Sequence, residues 1–180
     1  MNILFIILAI IAAIVVLLLL AAAFAKSDYA VEREITISKP VTQVFGYVRN
    51  LKNMDNYNKW VMVDPMMQKD YRGEDGTEGF AYAWDSDNKG GRGEQVIKKI
   101  ENGKRIDIQI TFIKPFAAVS DSYIITEPAT DNGTTVKWGF ASKMPYPMNA
   151  MLLFMDMGEM LGKDLAISLQ NLKQIIEKQP

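Results

Sequence analysis

Chemistry in this chain has to come from Asp, Glu, Lys, Arg, Tyr and Ser, because its 180 residues include no histidine and no cysteine. That removes the commonest general base, a Ser–His nucleophile pair and imidazole ligands to a metal. Disulfides, thiol nucleophiles and thiolate metal sites go with them. Among the carboxylates, Asp121 has the most suggestive setting, since a two-residue period puts it on one strand face with Val119, Tyr123 and Ile125. If that face lines a cavity, desolvation raises its pKa and suits it to acid or base work. With Ser120, Ser122 and Ile124 turned inward instead, it is a solvated strand residue. Tyr82 and Tyr123 are the phenols that could act beside it. Asp85 and Asp87 follow Trp84 into a turn and read as loop carboxylates. Asp156 and Glu159 read as a solvated helix face, with Glu159 four residues before Lys163 in the order that favours a helical ion pair. No two carboxylates are placed as an acid/base couple. Gly90-Gly-Arg-Gly93 lacks the strand-to-helix setting and the Lys-Ser/Thr of a phosphate loop, and is read as a hairpin turn.

The elements that must position these residues follow from periodicity. Val31, Ile35 and Ile37 alternate with polar residues as in a half-buried strand, and Pro40 ends it at a position suited to the first turn of a helix. Val41, Val44, Phe45 and Val48 follow at helical spacing, and 51–60 reads as a second short helix. From Gln68 to Lys143 the pattern is strands and turns. Phe80, Tyr82 and Trp84 share a face, as do Ile106, Ile108, Ile110 and Phe112, and Val136, Trp138 and Phe140. Gly73, Gly76 and Gly79, Asn88-Lys-Gly-Gly, Asn102-Gly103, Lys114-Pro115 and Asp131-Asn-Gly133 punctuate these runs as antiparallel connections do. From about Pro147 to Glu177, Met151, Phe154, Leu161, Leu165, Leu169, Leu172 and Ile176 predict one long helix. Gly158 and Gly162 within it point to a bend or a close backbone approach. Met144-Pro-Tyr-Pro-Met148 is a rigid corner leading into that helix.

Residues 3–25 contain only Ile, Leu, Val, Ala and Phe. As a helix they span about 35 Å at about 1.5 Å per residue, enough to cross a hydrocarbon core of about 30 Å. The expected division is an anchor at 1–26 and one domain at 27–180. Ala23-Phe24-Ala25 also resembles a signal-peptidase site, which would make the segment removable. The length of the apolar run and the absence of a preceding Lys or Arg favour a retained anchor. Lys26, Arg33 and Lys39 follow the helix, a weak lean toward a cytoplasmic domain. The net charge of −1 offers no electrostatic reason to expect nucleic acid.

The order of strand, two short helices, five or six antiparallel strands and one long helix resembles the START-like, helix-grip superfamily, especially its polyketide cyclase/dehydrase-like branch. The pieces that carry the resemblance are Arg33-Glu-Ile-Thr-Ile-Ser-Lys-Pro-Val-Thr-Gln-Val-Phe45, Leu51-Lys-Asn-Met with Trp60, and Gly76-Thr-Glu-Gly-Phe-Ala-Tyr-Ala-Trp84. Gly91-Arg-Gly-Glu94, Arg105-Ile-Asp-Ile, Thr134-Thr-Val-Lys-Trp138 and Gly162-Lys-Asp-Leu continue it over about residues 31–177. The resemblance implies an α+β fold in which a curved antiparallel sheet grips the C-terminal helix around a cavity for apolar small molecules such as lipids, sterols or polyketides. The expected walls are Trp60, Tyr82, Trp84, Ile108, Ile110, Tyr123 and Trp138. The flexible methionines Met148, Met151 and Met155 are expected over the mouth. The expected function is membrane-tethered binding of a lipid or another apolar molecule, with no cofactor, metal or nucleic acid. Cyclase/dehydratase-like catalysis by Asp121 or a tyrosine, and a regulatory interaction module, are the alternatives.

Overall fold

A computed structural model describes residues 3–87 and 90–179, so Asn88 and Lys89 of the expected Asn88-Lys-Gly-Gly turn lie outside the described residues. The chain opens on helix α1 (Ile3–Phe24), which is long and apolar enough to cross a membrane. The rest of the protein buries only Ala22 of this helix, so α1 is not a core helix. The last carbonyls of a helix need partners outside it. Here the Asn149 side-chain amide donates to the carbonyls of Ala22 at 2.7 Å and Ala25 at 3.2 Å, tying the end of α1 to the body.

Strand β1 (Asp28–Ile37) leads through Pro40 into α2 (Val41–Val48). The expected single helix over 51–60 is divided into a 3-10 turn (Leu51–Asn53), α3 (Met54–Tyr57) and α4 (Lys59–Met62). Asn58 makes the break. Its backbone is extended, and its side-chain oxygen accepts the Trp60 N–H at 3.0 Å, so it caps α4 instead of continuing α3. Strands β2 (Gln68–Arg72), β3 (Ala81–Asp85), β4 (Arg92–Glu101), β5 (Arg105–Lys114), β6 (Ala118–Pro128) and β7 (Thr134–Lys143) complete a seven-stranded antiparallel sheet of order β1-β7-β6-β5-β4-β3-β2. Asp131 and Asn132 adopt left-handed backbone in the β6–β7 connection, as short polar side chains tolerate.

The long C-terminal helix is shorter than its hydrophobic pattern suggests. Residues Met148–Leu153 form a 3-10 turn, and α5 proper runs Met157–Glu177. Asp156 stops the pattern from continuing backward, because its carboxylate caps α5 by accepting the Glu159 N–H at 2.9 Å. Glu159 pairs with Lys163 at 3.2 Å and lies 3.6 Å from Arg33. At Gly162 the close neighbour is a side chain and not the backbone approach expected there, since the Arg33 guanidinium occupies the space a Cβ would need.

Register defines two poles. At the near pole, where α1 enters, β1 starts at Asp28 opposite Lys143, Ala118 faces Phe112, and Arg92 faces both Lys114 and Asp85. At the far pole Ile37 faces Thr134 and Glu101 faces Arg105. Helix α5 runs from near to far and presents Leu165, Leu169, Leu172 and Ile176 to the sheet. The core is solid toward the far pole, where Val44, Phe45 and Val48 of α2 meet Ile37, Ile106, Ile124 and Val136.

Leu169 is 1 % exposed within that core. Leu169→Ala should therefore lower unfolding free energy by about 2–5 kcal/mol in urea titrations, since a rigid core closes only partly over the lost atoms.

Candidate ligand cavity

Toward the near pole the sheet and α5 diverge and enclose a cavity of about 310 Å³. Its sheet wall is Tyr82, Trp84, Gln95, Ile110, Phe112, Ser122, Trp138 and Phe140, and α5 contributes Leu161 and Leu165. Met54, Asn58, Trp60, Val61 and Val63 cover it, and Met67, Gly90, Lys114 and Pro115 reach its rim. Two aromatic series stiffen these surfaces. Along the sheet, Tyr82, Trp84, Phe112 and Phe140 follow one another at centroid separations of 6.5, 6.0 and 6.5 Å, each pair edge-on or nearly so. Above it, Trp138 meets Tyr57 at 5.8 Å and Trp60 at 6.4 Å, both edge-to-face. Gly93 makes room for the wall: a Cβ there would lie 2.6 Å from the Trp84 ring and 2.7 Å from the Thr111 carbonyl.

The indole and hydroxyl groups of the wall are committed to the protein. Trp138 Nε1 donates to Ser122 Oγ at 3.1 Å, and Ser122 Oγ donates to the Gly139 carbonyl at 2.9 Å. Trp84 Nε1 donates to the Gly90 carbonyl at 3.0 Å, and Trp60 Nε1 to Asp164 at 3.1 Å. Asp164 also pairs with Lys59, and Ser168 Oγ accepts the Lys59 backbone N–H at 2.9 Å, so α4 is strapped to α5 above the cavity. Tyr82 donates to Asp55 Oδ1 at 3.0 Å. Tyr71 donates to Asp55 Oδ2 at 3.3 Å, and Lys69 lies 2.9 Å from the same oxygen. Burial and then the Asp55 carboxylate push the Tyr71 phenol up to about 12, and the same two causes raise Tyr82. Burial first, and the nearby Tyr47 and Asp75 next, raise Tyr57, whose hydroxyl has no hydrogen-bond partner among the described residues.

Of the residues singled out from sequence, Trp60, Tyr82, Trp84, Ile110 and Trp138 come together on this cavity. Ile108 shares the inner face but sits two residues nearer the far pole, at 2 % exposure in the solid core. Tyr123 is on the outer face, with its hydroxyl on Glu32 at 2.5 Å and its ring over Gly139. Asp121 is exposed on that same outer face, because Ser120, Ser122 and Ile124 are the buried residues of β6. A cavity-lining Asp121 is thereby corrected. The methionines are displaced as well. Met148 lies in a separate groove with Lys143 and Met144, and Met155 borders another beside residues 26–30. Met151 is 44 % exposed. The expectation that puts them over the cavity mouth takes the helix to start near Pro147, whereas α5 begins only at Met157. The methionines on the cavity are instead Met54 and Met67. Gln95 and Asp164 were missed, although Gln95 alternates with buried Ile97, and Asp164 with Ser168 interrupts the leucine stripe of α5 at an i, i+4 spacing.

A curved antiparallel sheet gripping a long C-terminal helix around an apolar cavity defines a START-like, helix-grip domain. Within that class, the chain belongs to the family described as polyketide cyclase/dehydrase and lipid transport, whose family model matches residues 29–177. Solved structures agree on the fold. Truncated norcoclaurine synthase from Thalictrum flavum is 9% identical and superposes with a TM-score of 0.64, covering 87% of this chain and 98% of that one. Protein CV1439 from Chromobacterium violaceum is 12% identical at a TM-score of 0.59, over 83% and 98% of the two chains. Ara h 8.0201 is 15% identical at 0.54, over 84% and 99%. No curated protein sequence matches the chain.

Two outcomes follow. Tyr71 has a folded pKa above the ordinary 10.0, so the stability it contributes is complete below about pH 10 and is lost as pH rises through about 12. Asp55→Asn should narrow that interval, read as tyrosinate absorbance and as the alkaline limb of stability. Tyr57→Phe removes a buried hydroxyl that lacks a partner, and should raise unfolding free energy by about 1 kcal/mol or more in denaturant titrations.

Proposed function

We propose that the protein is a membrane-tethered binding module for a lipid or another apolar small molecule. The observation that carries this reading is the cavity, whose lining is carbon-rich and whose indole N–H groups and Ser122 hydroxyl already have partners within the protein. A site of this kind selects ligands by shape and desolvation. Its volume of about 310 Å³ stands at the small end of ligand pockets, which suits part of an acyl chain or a compact ring system. The family description, which includes lipid transport, agrees with this choice. The tether reading rests on the length and composition of α1, and on Asn149, which fastens the end of α1 to the body.

Catalysis in the manner of a cyclase or dehydratase would have to run through Tyr82, the one wall phenol, with Asp55 behind it. Tyr82→Phe is expected to leave ligand retention unchanged.

The test uses the full chain purified in native lipid and extracted into organic solvent. Mass spectrometry should find an apolar compound bound at a fixed ratio to protein. Ile110→Trp, which fills the cavity from its wall, should reduce that ratio severalfold while preserving the near-native unfolding transition. Equal retention by this variant would place the ligand elsewhere and defeat the cavity reading.

A further inference from the structure

Outside α1, exposed large apolar side chains are distributed unevenly between the two poles. At the near pole Met66, Phe116, Tyr146, Met151, Leu153 and Phe154 are 44 to 85 % exposed. The far-pole turns at 73–79, 102–104 and 129–133 carry no exposed large apolar side chain. Solvation alone does not sort residues in this way, and an apolar surface gathered at one end marks a contact with something apolar.

Three independent features meet at the same end. Helix α1 leaves from it, only Ala25, Lys26 and Ser27 separate the helix from β1, and Asn149 holds the helix end against residues 148–153. The four Cα steps from Phe24 to Asp28 reach at most about 14 Å, so the start of β1 lies within that distance of the end of α1. The cavity rim is there too, since Lys114 and Pro115 border both the cavity and the groove that leads to Met148. Lys26 and Lys114 are exposed among these apolar residues and suit phosphate headgroups.

We infer that the near pole is a membrane-seating surface, with Phe116, Leu153 and Phe154 in the interfacial layer and the cavity mouth turned to the lipid. This rests on the tethered reading of α1 and deepens it. A tether alone would let the body tumble above the bilayer, whereas a seated pole gives an apolar ligand a route between bilayer and cavity that avoids water. Apolar side chains at such a surface bury about 5–10 Å into the headgroup and acyl boundary.

Because the chain has no native cysteine, one introduced thiol is the only labelling site. The full chain is reconstituted in phosphatidylcholine liposomes containing a doxyl-labelled phosphatidylcholine. It carries an environment-sensitive fluorophore at Phe154→Cys, Phe116→Cys or Met66→Cys, or at Lys104→Cys in the far-pole turn as reference. The three near-pole labels should be blue-shifted and quenched severalfold more strongly than the reference. Quenching at 154 and 116 but not at 66 would overturn the lipid-facing mouth. Four labels equally unquenched on a chain that resists alkaline stripping would overturn the seating while leaving the anchor intact. A chain released by alkaline stripping would overturn the anchor reading, and the seating with it.

Discussion

A seven-stranded antiparallel sheet with strands about 4.8 Å apart is about 30 Å wide, whereas a helix with its side chains is about 10–12 Å across. One helix can therefore run the length of the inner face but cannot cover its width. In this protein α5 supplies the one long cover, and everything else on the inner face is a solution to the remaining gap. Toward the far pole the gap is filled by α2, whose Val44, Phe45 and Val48 are buried. Toward the near pole the cover is the short α3–α4 segment, which meets the sheet through Tyr57 and Trp60 on Trp138 and is strapped to α5 by Lys59 and Trp60. The cavity is what that incomplete cover leaves.

An apolar cavity keeps its shape only if its walls are stiff. Stiffness here comes from edge-to-face aromatic pairs and from hydrogen bonds that fix each indole. The strap between α4 and α5 adds a charged element, because Asp164 engages both Lys59 and the Trp60 indole. These bonds satisfy the wall's indole N–H groups and the Ser122 hydroxyl internally.

The near pole concentrates three demands that usually conflict: an apolar exit helix, an open cavity mouth and exposed hydrophobic side chains. In water each would be a liability, and together they would favour aggregation. In the proposed seating against a bilayer they become mutually consistent, since one surface satisfies all three. The 3-10 turn at 148–153 is central to this arrangement. By ending the helical pattern before Met157, it leaves Asn149 to cap α1 and turns Met151, Leu153 and Phe154 outward.

By itself the sequence determined what local pattern can determine. The apolar run at 3–25, the alternation of Ile106, Ile108, Ile110 and Phe112, and the stripe from Leu161 to Ile176 each state their element and inner face, because period alone separates strand from helix and inside from outside. It also placed Trp60, Tyr82, Trp84, Ile110 and Trp138, large residues on faces that had to be internal. Tertiary structure decided the rest. Both faces of β6 carry polar and apolar residues, so period could not say whether Asp121 or Ser122 points inward, and packing against the gripped helix chose Ser122. Whether Met151 and Phe154 continue the α5 stripe was equally undecided locally. The Asp156 cap and the docking of α1 on Asn149, a contact across more than 120 residues, settled it. Distant partners of that kind leave no mark in the spacing of neighbours, and for that reason the cavity's cover and its orientation toward the end of α1 are properties of the fold alone.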